Sequence, residues 1–130
     1  MANLHNYHGR YCEAEFESTF LSYLEEAGWS YLAGSSLPRD SMRDVLYTDD
    51  MEFFLNRTNP DLTADEIQQI MDTVRLAGSE SDFATLHKVY DWMVNGIQFT
   101  PQAALPRMVN LIEFEDPEKN VFRAVNQFTV

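Results

Sequence analysis

Two acidic residues on an amphipathic segment are the clearest candidates for chemistry in this sequence. Residues 13–27 are predicted to form one helix, because apolar side chains recur there at helical spacing. With a rotation of about 100° per residue, Glu17 lies between Leu21 and Leu24 on the apolar face, and Glu13 lies on the same face. A carboxylate in such a place must find a hydrogen-bond or charge partner, bind a metal or hold a proton.

An ordinary structural explanation stays open for both acids. Either residue could lie at the rim of the apolar face or form a buried salt bridge. The predicted apolar face consists of Phe16, Phe20, Leu21, Leu24 and Ala27. The remaining acids of the helix, Glu15, Glu25 and Glu26, are predicted on the opposite, polar side.

The sequence gives little support for other kinds of catalytic site. The sequence has no Gly-x-x-x-x-Gly-Lys-Ser/Thr loop for ATP, and no spacing of His and Cys that is typical of zinc ligands. His5 and His8 are interpreted as solvated residues of a loosely held N-terminal segment, residues 1–12. His87 and Lys88 could touch a phosphate, but a solvated helix edge is the simpler explanation.

Short strands and several helices are predicted around the first helix. Residues 29–33 have the composition of a strand, and residues 49–57 that of a helix ending before Asn59-Pro60. Thr63-Ala-Asp-Glu66 is a capping box that opens a further helix. A last helix is predicted over 82–94, burying Phe83, Leu86, Val89, Tyr90 and Met93, and a strand over 97–100 follows it.

The C-terminal residues 111–130 are predicted to form a β-hairpin. Two runs rich in Val, Ile and Phe flank residues 115–120, and Asp116-Pro117 is typical of the start of a turn. The strand after the turn is apolar on both faces, so it is expected to lie inside a sheet. The whole pattern predicts an α/β domain over residues 13–130.

Length and composition indicate a single globular domain. The chain has 130 residues, 45% hydrophobic and 23% charged, without an apolar run long enough for a membrane span. One cysteine, Cys12, cannot form an internal disulfide, and the N-terminus lacks the pattern of a signal peptide. A cytoplasmic protein is therefore expected.

The net charge of −12, from 21 acids and 9 Lys or Arg, disfavours direct DNA binding by this segment. Basic surface on other domains, or a divalent metal at the carboxylates, would offset this charge. The same charge would suit a protein that docks on a basic partner.

The C-terminal segment is also where the chain resembles a known family. Leu111-Ile-Glu-Phe114 and Asn120-Val-Phe-Arg-Ala-Val-Asn-Gln-Phe-Thr-Val130 resemble the start of the restriction (R) subunit of type I restriction-modification enzymes. Glu17, a Leu seven residues later, Gly28-Trp29 and Asn59-Pro60 extend the similarity. Family members often have Ile-Asp-Phe where this chain has Ile112-Glu-Phe114.

The resemblance implies an incomplete PD-(D/E)xK restriction-endonuclease-like fold, with helices packed on a truncated mixed sheet. The family's Arg-Pro-Asp and Glu-x-Lys strands would follow the last residue, so the chain alone is expected to be inactive. By position, Glu17 is the acid that points toward the Mg²⁺ site, with Glu13 as the fallback. The full subunit is expected to use ATP and to cleave double-stranded DNA together with modification and specificity subunits.

Two alternatives compete with this interpretation. The first is a free-standing acidic interaction module, such as a DNA mimic or inhibitor, with acids spread in phosphate-like rows. The second is a truncated, nonfunctional reading frame. DNA-contacting residues and the recognised DNA sequence are not predicted.

Overall fold

The chain folds into two compact units. The computed structural model describes residues 12–37, 46–79 and 81–128. One unit consists of residues 1–45 and 122–130, and the other of residues 46–121. The predicted loose segment lies outside the described residues except for Cys12, which is exposed. No helix in the described ranges combines the length and the apolar composition that a membrane span needs.

The first unit is built from one helix and two parallel strands. Helix α1 spans Glu13–Glu26, and strand β1 spans Ser30–Ala33. The strand that pairs with β1 comes near the end of the chain, at Arg123–Asn126, with Ser30 opposite Arg123. Trp29 and Phe122 lead into these strands, and their ring centroids lie 5.3 Å apart. Helix α1 packs against both strands.

The second unit contains three helices and a β-hairpin. Helices α2, α3 and α4 span Thr48–Thr58, Ala64–Arg75 and Asp82–Asn95. Strands β2 (Ile97–Phe99) and β3 (Arg107–Val109) then pair in antiparallel register, so the strand of residues 123–126 is β4. The described part of the chain is therefore mixed α/β, with four α-helices and two separate two-stranded sheets.

The core of the second unit lies between α2, α3 and the β2–β3 hairpin. Its buried side chains are Phe54, Leu55, Leu62, Ile67, Ile70, Met71, Ile97 and Val109. The α3 residues among them, Ile67, Ile70 and Met71, recur at helical spacing. Burial of this cluster supplies the main hydrophobic stabilisation of the unit.

The predicted capping box at the start of α3 is confirmed. The Thr63 hydroxyl accepts a hydrogen bond from the Glu66 N–H, and the Glu66 carboxylate accepts one from the Thr63 N–H. The other oxygen of Glu66 accepts a bond from the Gln102 N–H, 3.1 Å away. One carboxylate therefore joins the helix start to the loop between β2 and β3.

An arginine on β3 makes a second connection within this unit. Nη1 of Arg107 lies 2.7 Å from Oδ2 of Asp61, and Nη2 lies 3.2 Å from both Oδ1 of Asp61 and Oδ1 of Asn59. These bonds fix the guanidinium against the α2–α3 turn, which contains the Asn59-Pro60 pair noted in the sequence.

The hairpin predicted over 111–130 is wrong. Pro117–Lys119 form a 3-10 turn, and the strand after it pairs with β1 rather than with the preceding residues. Instead of a paired strand, the Asn120 side chain forms hydrogen bonds with the backbone of Glu113. Its Oδ1 accepts from the Glu113 N–H and its Nδ2 donates to the Glu113 carbonyl, both at 2.8 Å. The loop is thereby closed without a β-ladder.

The prediction that α4 buries its apolar stripe is also wrong. Phe83, at 79% exposed, Leu86, Tyr90 and Met93 are all exposed, and Val89 is half-buried. Periodicity predicts correctly that these side chains share one face. It carries no information on whether another element covers that face.

Truncation of Leu55, which is fully buried on α2, should destabilise the chain. Leu55→Ala removes packed methyl groups and leaves a cavity, so we expect a loss of about 2–5 kcal/mol in the free energy of unfolding. Urea denaturation followed by circular dichroism measures this loss. The control is Phe53→Ala, at an exposed position on the same helix, which should cost less than about 1 kcal/mol. Equal costs would contradict the assigned core.

Acid should weaken the second unit through Glu66 and Asp61. The hydrogen bond from the Thr63 backbone lowers the pKa of Glu66, and the hydrogen bond from Arg107 lowers the pKa of Asp61. Because both pKa values are lower in the folded state, the stabilisation is fully present at pH values above the ordinary carboxyl pKa of about 4. It is lost as the pH falls through the lowered values.

Urea midpoints measured between about pH 6 and about pH 2.5 test this dependence. The wild-type midpoint should fall toward the acid end. Glu66→Gln keeps a capping side chain but cannot titrate, so its midpoint should fall less steeply. A variant with the wild-type pH dependence would show that Glu66 does not contribute.

Candidate carboxylate site

A surface groove of about 290 Å³ lies between α1 and the parallel strands β1 and β4. The helix contributes one side of the groove, with Ala14, Glu17, Ser18, Leu21, Ser22 and Glu25. Tyr31 of β1 and Asn126 of β4 contribute the other side. All of these residues belong to the first unit. The groove is mainly polar, in contrast to the apolar core of the second unit.

Glu17, the acid singled out from the sequence, is half-buried in this groove. The side-chain nitrogen Nε2 of Gln127 donates to it and lies 3.2 Å from Oε1 and 3.2 Å from Oε2. A charge-assisted hydrogen bond of this kind compensates part of the cost of removing a carboxylate from water. The carboxylate therefore has a defined orientation.

Gln127 directly follows β4 and has a left-handed backbone conformation, with φ of 50°. It is the one non-glycine residue with positive φ among the described residues. Gly34, which directly follows β1, packs against the same backbone. A Cβ atom on Gly34 would lie 2.5 Å from the carbonyl oxygens of Asn126 and Gln127. Glycine is therefore required at position 34 for the two strand ends to approach each other.

Tyr31 and Asn126 form a second polar contact beside Glu17. The Tyr31 hydroxyl donates to Oδ1 of Asn126 over 2.7 Å. The two residues lie on adjacent strands and line the groove opposite the helix. This bond fixes the side chain of the residue that precedes Gln127.

Glu25 also lines the groove. The helical pattern predicts it on the polar side of the helix, away from Glu17, and this prediction is wrong because both acids line the groove. The groove-lining residues at positions 14, 17, 18, 21, 22 and 25 recur every three or four residues, and this spacing was the available signal. Glu13, the fallback acid, is exposed and does not line the groove.

The predicted apolar face of α1 is likewise corrected. Phe16 is 64% exposed, and Phe20 and Ala27 are also exposed, while Leu21 and Leu24 are half-buried. The side of the helix that packs against the strands is thus rotated from the centre of the apolar arc toward Glu17. A helix with a wide apolar arc can pack in several rotations, and the tertiary contacts select one.

The two carboxylates that line the groove, Glu17 and Glu25, do not make a metal site by themselves. Among residues 12–37, 46–79 and 81–128, no three His, Cys, Asp or Glu side chains lie close enough together to hold a metal ion. Glu17 can supply a single oxygen ligand, and Mg²⁺ is commonly held by one or two carboxylates together with waters and phosphate oxygens.

The chain matches a protein family over almost its whole length. Residues 10–130 match the family described as the type I restriction enzyme R protein N terminus. The chain belongs to this family. The match includes the groove, α1, both parallel strands and Gln127, and it confirms the resemblance found in the sequence.

A curated relative from Methanocaldococcus jannaschii agrees with the family match. Its name assigns it as the endonuclease subunit of the type I restriction enzyme MjaIXP, and it is 30% identical over 123 residues. The alignment covers 88% of this chain but 12% of the relative. No solved structure matches the chain. This R-subunit segment therefore corresponds to a small part of the relative's length.

The Tyr31 hydroxyl should make a small, measurable contribution to stability. Tyr31→Phe removes its hydrogen bond to Asn126 and leaves the ring, so we expect a loss of about 1 kcal/mol or less because water can reach both groups. Thermal unfolding measures the loss. Tyr90→Phe, at an exposed tyrosine of α4, serves as the matched control and should be neutral. A larger loss in the control would contradict this assignment.

Proposed function

We propose that this chain is the N-terminal part of the endonuclease domain of a type I R subunit. In the full subunit the domain would cleave double-stranded DNA with Mg²⁺, and Glu17 would supply one carboxylate of the metal site. The observation that carries the proposal is the half-buried Glu17 carboxylate, oriented by Gln127 in a polar groove of a chain that belongs to this family.

The position of the groove supports an assignment to catalysis. Gln127 and Gly34 each follow the last residue of a parallel strand, and Glu17 lies against this end of the sheet. In α/β proteins with parallel strands, ligand sites form preferentially outside the carboxyl ends of the strands. Under this proposal, additional residues from neighbouring strands would reach the same ion from this end of the sheet.

The exposure of the parallel strands supports a larger sheet in the full subunit. Parallel strands are usually covered on both faces and occur in sheets of several strands. Here Tyr31 and Val125 are exposed on a sheet of two strands. We infer that further strands of a PD-(D/E)xK domain extend this sheet and carry the catalytic Asp and Glu-x-Lys.

The chemistry assigned to Glu17 also fits the net charge of −12. Mg²⁺ bound by carboxylates polarises the scissile phosphate and lowers the pKa of the attacking water. The ion also offsets negative charge beside the DNA backbone. Contacts to DNA phosphates would come from basic surface elsewhere in the subunit and from the modification and specificity subunits, while ATP would be bound outside this segment.

The R subunit that contains this sequence provides the direct test. With its modification and specificity subunits, ATP and Mg²⁺, Glu17→Ala should lower the rate of plasmid cleavage by roughly 100-fold or more, the order observed when one stabilising group is removed from an active site. ATP hydrolysis by the same complex should be unchanged. Glu26→Ala, at an exposed acid of the same helix, is the matched control and should cleave normally.

The isolated 130-residue chain provides a second test. Because it would hold one carboxylate of the site, we expect no Mg²⁺-dependent cleavage of plasmid DNA above background. Cleavage that is lost in Glu17→Ala would show that the site is complete within this chain. Full activity of Glu17→Ala in the assembled enzyme would instead contradict the catalytic assignment.

The alternative of a free-standing acidic DNA mimic is not proposed here. Family membership favours the R-subunit assignment, and a mimic gives no role to the oriented carboxylate of Glu17.

A further inference from the structure

Among the described residues, the side-chain amide of Gln127 donates the hydrogen bond that Glu17 accepts. We propose that Gln127 is a positioning residue, which orients the Glu17 carboxylate toward a divalent cation. This inference rests on the proposed nuclease function and adds a specific role for a residue outside the helix.

The hydrogen-bond geometry fixes the direction in which the Glu17 carboxylate points. Nε2 of Gln127 is equidistant from Oε1 and Oε2 of Glu17, at 3.2 Å from each. A donor shared by both oxygens holds the end of the carboxylate beside the C-terminal end of β4, yet each oxygen retains further lone-pair capacity. The remaining capacity is available to a metal ion and its waters.

The neutrality of the donor matters for this role. A Lys or Arg at the same distance would neutralise the carboxylate and repel an incoming cation. The amide of Gln127 orients the oxygens and leaves the negative charge in place. Carboxylates that bind metals are commonly hydrogen-bonded by such outer residues, which tune both orientation and affinity.

The backbone geometry at Gln127 is costly and specific. A φ of 50° is uncommon for a residue with a Cβ atom, and the surrounding structure must compensate its energy. Gly34 allows the β1 backbone to press directly against the carbonyls of Asn126 and Gln127. The strand register, which places Ala33 opposite Asn126, brings these two residues side by side.

Asn126 provides an additional anchor for the same turn. Its side chain accepts the hydrogen bond from Tyr31 on the neighbouring strand. The residue before Gln127 is thus held by its side chain, and the backbone of Gln127 is held by Gly34. The chain therefore uses contacts from β1 and β4 to fix one amide against Glu17.

Gln127→Gly separates the positioning role from a structural role. Glycine adopts positive φ readily, so the backbone conformation should persist while the amide is removed. The melting temperature of the 130-residue chain should be unchanged or higher. Gln98→Ala, at an exposed glutamine of β2, is the control for loss of a glutamine side chain.

Cleavage by the assembled R-subunit complex is then measured against Mg²⁺ concentration. For Gln127→Gly we expect the half-saturating Mg²⁺ concentration to rise by about 10- to 100-fold, with the rate largely restored at high Mg²⁺. Gln98→Ala should match the wild type. Gly34→Ala introduces a Cβ into occupied space, so it should lower the melting temperature, and Mg²⁺ should not restore its cleavage.

The outcomes distinguish this proposal from the proposed function. An unchanged Mg²⁺ dependence in Gln127→Gly, with cleavage abolished in Glu17→Ala, would overturn the positioning role and leave the nuclease assignment intact. A fall in cleavage that follows a fall in melting temperature and resists Mg²⁺ would also overturn it, because it indicates a structural role. Normal cleavage by Glu17→Ala would overturn both assignments.

Discussion

The parallel pairing of β1 with β4 is the constraint on which the first unit depends. The two strands are separated in sequence by the whole second unit, and a tight turn could not join them because they are parallel. The pairing begins at the hydrogen bond from the Ser30 N–H to the Phe122 carbonyl and ends where Gly34 meets Gln127. Without it, Gln127 would not reach the helix that carries Glu17.

The two units hold carboxylates with partners of different charge. Glu17 is oriented by the neutral Gln127 amide, whereas Asp61 in the second unit is paired with the charged guanidinium of Arg107. A charged partner stabilises a carboxylate structurally but reduces its attraction for a cation. The difference between the two environments is consistent with a structural role for Asp61 and the proposed metal-binding role for Glu17.

The two units also differ in how they are stabilised. The second unit buries a cluster around Leu55, Ile67, Ile70 and Val109, and it adds the capping box and the Arg107 bonds at its loops. The described part of the first unit has a polar groove, and its largest aromatic side chains are partly exposed. Polar groups that stay near solvent cannot at the same time form an apolar core.

Local sequence determined the features that depend on neighbouring residues. The four helices, the capping box at Thr63, the strand after Gly28 and the family itself could all be predicted, because helix periodicity, caps and motifs are encoded within short segments. Glu17 and Glu13 could be singled out because a carboxylate within an apolar arc is unusual, and the family resemblance selected Glu17 of the two. Only the tertiary structure decided that β4 pairs with β1, that Glu25 shares the groove and that the α4 stripe is exposed. Those features depend on contacts between distant segments, and a hydrophobic pattern specifies that a face is apolar without specifying its partner.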